Sequence, residues 1–311
     1  MKILLTGSSG QLGNALLPQL SKLATVYAPL RQELDLANPA QLRRCIQDFK
    51  PDLIINPAAY TAVDLAETEK ELAHTINVDA PACMAEEAHK LGAGLVHYST
   101  DYVFDGEKRD AQGDWQAYLE SDATNPQNVY GQTKLAGELA IAATACRHLI
   151  LRTSWVYSLH GKNFLLTMLK LAREREHLRV VNDQWGVPNS AAWLAQATGD
   201  ILASLFKTED PTDWWQSNAG TYHLSAGGKT NWCEFAAAII AIAGQQNSLG
   251  KTAPALQGIA SSEYPTAARR PKNSMLNTQK IQTQFQLHMP DWQTCLQQCM
   301  QELQPLPHFE S

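Results

Sequence analysis

An α/β fold built on a Rossmann-like, doubly wound parallel sheet, with a smaller and discontinuous C-terminal lobe, is what this 311-residue chain predicts. Three observations carry the expectation. Short apolar runs alternate with stretches long enough for crossover helices up to about residue 157. The runs Ile3–Leu5 and Leu53–Ile55 lack polar alternation, as strands buried on both faces do. A glycine-rich turn, Gly7-Ser8-Ser9-Gly10-Gln11-Leu12-Gly13, stands between the first run and the first helix.

Residues 2–6 read as the first strand, and the helix after the turn runs to about Leu23 with Leu12, Leu16, Leu17 and Leu20 on one face. Residues 24–30 form a second short strand. Asn38 as cap and Pro39 as first residue open a helix to about Phe49. Residues 52–56 are the third strand, 67–91 a helix broken near Pro81, 95–100 the fourth strand, 130–146 a long helix and 149–152 the fifth strand. Ligands of such sheets bind at the carboxyl ends of the strands, where Gly7, Asn56, Thr100 and Arg152-Thr153 fall. Beyond residue 155 the pattern loosens. Residues 164–174, 191–206, 231–243 and 291–303 read as helices, 178–181 and 221–224 as strands, 207–220 as a loop and 253–277 as irregular. The expected division is a dinucleotide-binding domain over 1–157, with returns near 178–206 and 221–225, and a mostly substrate-binding lobe over 158–311.

Charged residues make up 18% and hydrophobic ones 44%, in the range of a soluble globular enzyme. A net charge of −6, with no Lys/Arg cluster longer than a pair, argues against nucleic-acid and anionic-membrane partners. The six cysteines are scattered; Cys295 and Cys299, four apart, share a helix face rather than forming a metal pair or redox turn. Free thiols, an N-terminal apolar run too short for a signal peptide and no stretch near the roughly 18 residues of a membrane span give a cytoplasmic expectation.

The chemistry concentrates in Tyr130-Gly131-Gln132-Thr133-Lys134, which follows Ser99-Thr100-Asp101. A phenol and an ammonium four residues apart on a helix share a face. With an ordinary pKa of about 10, a phenol is a weak acid at neutral pH, and a neighbouring cation lowers that value. Thr100 at a strand end is placed to hydrogen-bond a substrate carbonyl together with Tyr130. The three glycines Gly7, Gly10 and Gly13 allow a tight turn and bring free helix N–H groups towards a pyrophosphate. Arg31, at the end of the second strand, suits the 2′-phosphate of NADP, and Asp35 suits the adenine side. Asn77, in a helix interior, either organises a water near Lys134 or faces solvent.

These motifs resemble the extended short-chain dehydrogenase/reductase family and, within it, the dTDP-4-dehydrorhamnose reductases. The resemblance lies in residues 56–64, 97–104, 128–138 and Arg152-Thr153-Ser154-Trp155-Val156-Tyr157, and continues in 181–186, Tyr222-His223-Leu224 and 270–274, nearly the whole chain. It implies hydride delivery from NADPH, with NADH as the alternative, to C4 of a dTDP-4-dehydro-L-rhamnose substrate. By the same resemblance Tyr130 donates the proton, Thr100 polarises the carbonyl, and Lys134 lowers the Tyr130 pKa and holds the nicotinamide ribose. Gly7, Gln11, Leu12, Asp35, Leu36, Ala58, Ala59 and Tyr60 line the cofactor; Trp155 packs on the sugar, with Asp101 and Tyr102 in the same pocket. Asn163-Phe164 and Arg270 reach the nucleotide diphosphate. Pro57, Tyr60 and Trp185 depart from the usual alanine, histidine and tyrosine. Ala15 stands where some members carry a glutamate linked to metal-assisted dimerisation, so no metal ligand is assigned, Mg2+ dependence is open, and a monomer or a homodimer is allowed. Two further readings share these residues: another sugar-nucleotide 4-ketoreductase or epimerase, and a non-enzymatic regulatory subunit of the kind that partners methionine adenosyltransferase.

Overall fold

The computed structural model describes residues 1–250 and 252–303. Its first half runs β1 (Lys2–Leu5), α1 (Gln11–Leu20), β2 (Thr25–Tyr27), α2 (Pro39–Phe49), β3 (Leu53–Asn56), α3 (Val63–Ala66), α4 (Lys70–His74), α5 (Ala80–Leu91), β4 (Gly94–Thr100), α6 (Val129–Ala142) and β5 (Arg147–Thr153). These five strands and a later one, Gly220–His223, form a single sheet in the order Gly220–His223, β5, β4, β3, β1, β2. Every pairing is parallel. The chain reverses direction across the sheet between β1 and β3, which creates a crevice at their carboxyl ends.

The unalternating strands are explained by two cores. Ile3, Leu5, Leu53 and Ile55 pack on one face with α1 and the helix Ala191–Lys207. Leu4 and Ile54 pack on the other with α2 and α5. The second strand is shorter than expected, ending at Tyr27 ahead of Pro29. The break in the region 67–91 comes before Pro81: Thr75–Asp79 forms a wide π turn, and Pro81 sits harmlessly in the first turn of α5.

The second lobe has its own core, gathered by helices Phe164–Glu174, Trp232–Gln245 and Trp292–Gln301. Two expectations change here. The stretch 207–220 contains a helix, Pro211–Asn218, started by Asp210, whose carboxylate accepts from Thr212 N at 2.7 Å, and buried through Trp214 and Trp215. The region 253–277 supplies a strand, Ala255–Ile259, which pairs in parallel with His177–Val181. That pairing sets residues 177–181 beside the second lobe's core, and the chain rejoins the large sheet with the helix Ala191–Lys207 against α1, the helix Pro211–Asn218, the strand Gly220–His223 beside β5 and the helix Gln279–Phe285.

The glycine turn is set by contact. Gly7 has φ +59, and a side chain there would meet Ala58 Cβ at 2.9 Å. A Cβ on Gly13 would lie 2.1 Å from the Gly7 carbonyl oxygen, so α1 seats on the turn only without one. Gly13→Ala is expected to lower stability by about 1–3 kcal/mol through that overlap. An unchanged urea midpoint would contradict the packing described.

Candidate active site

A single cleft of about 1860 Å³ runs along the carboxyl ends of the strands and out between the two lobes. Gly7, Gly10, Gln11, Leu12, Gly13, Arg31, Asp35, Leu36, Ala58 and Ala59 line one end of it. Thr100, Asp101, Tyr102, Tyr130, Lys134, Trp155, Asn163 and Arg270 line the remainder. Tyr60 is the exception: its hydroxyl donates to Glu69 at 2.7 Å on the outside, while Asn77 grips its backbone. At the glycine end, α1 begins on Gly10, which offers no side-chain cap. The first N–H groups of that helix therefore remain available to an anion.

Helix α6 is positioned by Asn128, whose side chain accepts from Gly131 N at 2.8 Å and donates to the Arg269 carbonyl at 2.8 Å. Gly131 lets the helix press on the loop after β4, because a Cβ there would sit 2.2 Å from Tyr102 O. Tyr130 is thereby brought to Thr100, and its ring meets Tyr102 edge-on at 5.4 Å. Lys134 is fully buried, and its Nζ donates to the Tyr98 carbonyl at 2.7 Å and lies 3.0 Å from His97 Nε2. Burial pushes the Tyr130 phenol up, with the Thr100 hydroxyl opposing, and pushes Lys134 down to about 8, with Glu138 opposing. Lys134 is not among the groups that shift the phenol here, and two of its three donors go to β4. A raised phenol keeps its proton, and a proton donor requires that form.

Asn77 neither faces solvent nor reaches Lys134. It is buried in the π turn, accepts from Tyr60 N at 2.8 Å and donates to Tyr60 O and Thr133 Oγ1, tying the loop after β3 to α6. Arg270 lines the cleft, where it pairs with Asp64 at 2.5 Å and donates to Tyr102 OH at 3.3 Å. Asn163 caps the helix Phe164–Glu174 and donates to Gln11 Oε1 at 2.8 Å, which joins the second lobe to the glycine turn. Trp155 holds the left-handed φ of +47, unusual for a bulky residue, and stacks on Trp232 at 3.6 Å. Trp232, Asp64 and His97 were not singled out as site residues from the sequence. Trp232 begins a helix in a segment without a local motif, and only the fold brings it to Trp155.

A protonated phenol beside a hydroxyl and a buried ammonium, at the end of a groove that opens on a glycine turn, is equipped to protonate a carbonyl oxygen next to a bound dinucleotide. That arrangement defines an NAD(P)H-dependent oxidoreductase of the extended short-chain dehydrogenase/reductase type. Comparison with known proteins narrows the class. The family model described as RmlD substrate binding domain matches residues 1–305. The dTDP-4-dehydrorhamnose reductase of Escherichia coli K12 is 43% identical over 307 residues, spanning 97% of this chain and 98% of that one. The crystal structure of the Bacillus anthracis dTDP-4-dehydrorhamnose reductase in complex with NADP superposes with a TM-score of 0.85 at 34% identity, covering 97% of this chain and 99% of the other. A Thermus thermophilus UDP-glucose 4-epimerase, at TM-score 0.74 and 16% identity over 97% of this chain and 98% of the other, shares the fold. The chain belongs to the RmlD family of dTDP-4-dehydrorhamnose reductases.

Among the described residues no group of three or more His, Cys, Asp or Glu side chains gathers as a metal site, and no helix is long and apolar enough to cross a membrane.

Asp101 is buried, with Oδ2 unpartnered, and burial pushes its carboxyl up to about 6, against opposing hydrogen bonds from Ser274 and Thr100. Its folded value lies above the unfolded one of about 3.9, so the stability it contributes is present at low pH and is lost as pH rises through about 6. Asp101→Asn removes that charge. The variant is expected to gain melting temperature over the parent at about pH 8 and to gain none at about pH 4. Equal differences at both values would contradict a burial-strained carboxylate.

Proposed function

We propose that this protein reduces the C4 carbonyl of dTDP-4-dehydro-β-L-rhamnose with NADPH to give dTDP-L-rhamnose, the last step in making that sugar nucleotide. The observation that carries the reading is the juxtaposition of Tyr130, Thr100 and buried Lys134 at the end of a cleft that begins on the Gly7 turn. The reductases named above, similar over nearly the full chain, support the choice of substrate.

The residues fit a dinucleotide on two counts. The Gly7 turn leaves no room for a Cβ, and the first turn of α1 presents uncapped N–H groups, which suits the close approach of a pyrophosphate. Arg31 at the rim is placed for a 2′-phosphate, the basis for preferring NADPH over NADH. NADPH bound there supplies the hydride for C4 of the sugar. Tyr130 gives its proton to the carbonyl oxygen, and Thr100 hydrogen-bonds the same oxygen as charge develops on it. Lys134 has two donors committed to Tyr98 O and His97, and its third N–H is left for the nicotinamide ribose and the emerging phenolate. Trp155 and Trp232 form an aromatic wall for the sugar nucleotide, and Arg270 stands beside it on Asp64. In this reading the dinucleotide-binding domain covers 1–157 together with 191–223 and 279–285, and the remaining described residues form the substrate lobe.

Tyr130→Phe is expected to lose about 10²–10⁴ in kcat while NADPH still quenches protein fluorescence with its original affinity. Normal turnover in that variant would sink the assigned proton donor. Offering dTDP-, UDP- and GDP-linked 4-ketosugars side by side tests the substrate; a preference for UDP- or GDP-sugars would favour a different sugar-nucleotide enzyme. Arg31→Ala is expected to raise KM for NADPH roughly tenfold or more and leave that for NADH near its original value, as loss of one phosphate contact does. Parallel changes for both cofactors would remove Arg31 from the phosphate site.

A further inference from the structure

One buried polar chain lies outside the mechanism above. Thr6 Oγ1–H, just after β1, donates to Asn56 Oδ1 at the end of β3 at 2.6 Å, an orientation of the amide that turns its NH2 towards His97. The other end of that amide is 3.0 Å from His97 Nδ1 on β4, and His97 Nε2 is 3.0 Å from Lys134 Nζ on α6. All four residues are buried, and His97 is wholly so. The chain thus runs from the strand that feeds the glycine turn, across the sheet, to the ammonium beside Tyr130.

Its protons can be counted. A neutral imidazole carries one N–H, and the two ends of an amide are alike in shape but opposite in polarity. With the amide NH2 facing His97, Nδ1 is bare and Nε2 carries the proton, so Lys134 must be an uncharged amine that accepts it. With the amide carbonyl facing His97, Nδ1–H donates to Asn56, Nε2 is bare, and Lys134 donates as an ammonium. Each arrangement belongs to one charge state of Lys134, and the second also turns the amide NH2 onto Thr6 Oγ1, which then accepts instead of donating. The Tyr98 carbonyl, 2.7 Å from Nζ, accepts a proton in either case.

We propose that His97 is a positioning residue for the reduction: its imidazole, neutral and bare at Nε2, anchors Lys134 as an ammonium and turns the third N–H into the cleft. The groups around the pair agree with that state. Glu138 faces the ammonium from its own helix and carries Arg152 of β5 as counter-ion at 2.6 Å. Tyr130, with Asp101 beside it, lies one turn before Lys134. Burial and the Lys134 charge hold His97 well below its ordinary pKa, so it stays neutral, while burial lowers Lys134 to about 8 and makes an acceptor for its charged form consequential. The role given to Lys134 rests on the reductase reading, but the tautomer of His97 does not.

The test therefore has two readouts on the full-length protein. In ¹⁵N spectra of histidine-labelled protein, with the His97 signal assigned by its absence in His97→Gln, the Nδ1–H tautomer is expected near neutral pH; an Nε2–H tautomer overturns the proposal. In the pH profile of kcat, His97→Leu withdraws the acceptor, favours the uncharged amine and should move the alkaline limb down by about one pH unit. His97→Gln, which keeps a carbonyl acceptor, should return the limb to its original place. A folded His97→Leu with an unmoved limb also overturns the proposal, because a merely structural histidine would change stability and leave the limb alone. Absence of turnover by the parent protein, with the Nδ1–H tautomer present, would instead count against the proposed function and leave the anchor standing.

Discussion

The burial of one ammonium against β4 organises this molecule. A lone buried cation is costly unless its donors are met, and Lys134 meets Tyr98 O and His97 only if α6 lies close to the sheet. Gly131 and Gly137 let α6 seat in that position between the loop after β4 and the π turn; a Cβ on Gly137 would stand 2.1 Å from the Asn77 carbonyl. Tyr130, Lys134 and Glu138 then form one stripe at intervals of four along the helix. The phenol reaches the cleft beside Thr100, the ammonium reaches β4, and the carboxylate takes Arg152 of β5 through paired hydrogen bonds. A helix held at three successive turns by a sheet has little freedom to move its first residue, which suits a proton donor that must be in place before hydride arrives.

The opposite wall of the cleft is built differently. The strained backbone at Trp155 lays its ring on Trp232, and Phe164 closes the cluster from the next helix. Asn163 and Gln11 tie that wall to the glycine turn, and Arg270 with Asp64 ties the segment 261–274 to α3. The wall that carries Tyr130 and Lys134 is fastened to one sheet, and the wall that carries Trp155 and Trp232 is assembled from two lobes across polar contacts.

Much of the large sheet was legible because strands buried on both faces write an unbroken apolar run, and because Asn38-Pro39 and the Gly7 turn carry explicit local signals. The Tyr130–Lys134 pair and its meeting with Thr100 were legible from helix spacing joined to strand-end positions. What Lys134 would touch was not. Asn56 read as a strand end and His97 as part of a strand, and only the parallel register of β3 and β4, which pairs Asn56 with His97, makes them neighbours. The helix Pro211–Asn218 was hidden because polar composition outweighed its Asp210-Pro211 start. The strand Ala255–Ile259 was hidden because its partner, His177–Val181, lies far away in sequence. Tyr60 shows the converse limit: adjacency to Ala58 and Ala59, which line the cleft, did not fix which way its ring would turn.

The central claim is that the cleft brings C4 of a dTDP-4-ketosugar between a hydride source and the Tyr130 proton. Its most direct measurement is the reaction of 4-deuterated NADPH with dTDP-4-dehydro-L-rhamnose, followed by NMR of the sugar product. The account predicts dTDP-L-rhamnose with deuterium at C4 alone, delivered from one face of the nicotinamide. Deuterium at another carbon, or a product without it, would contradict the account.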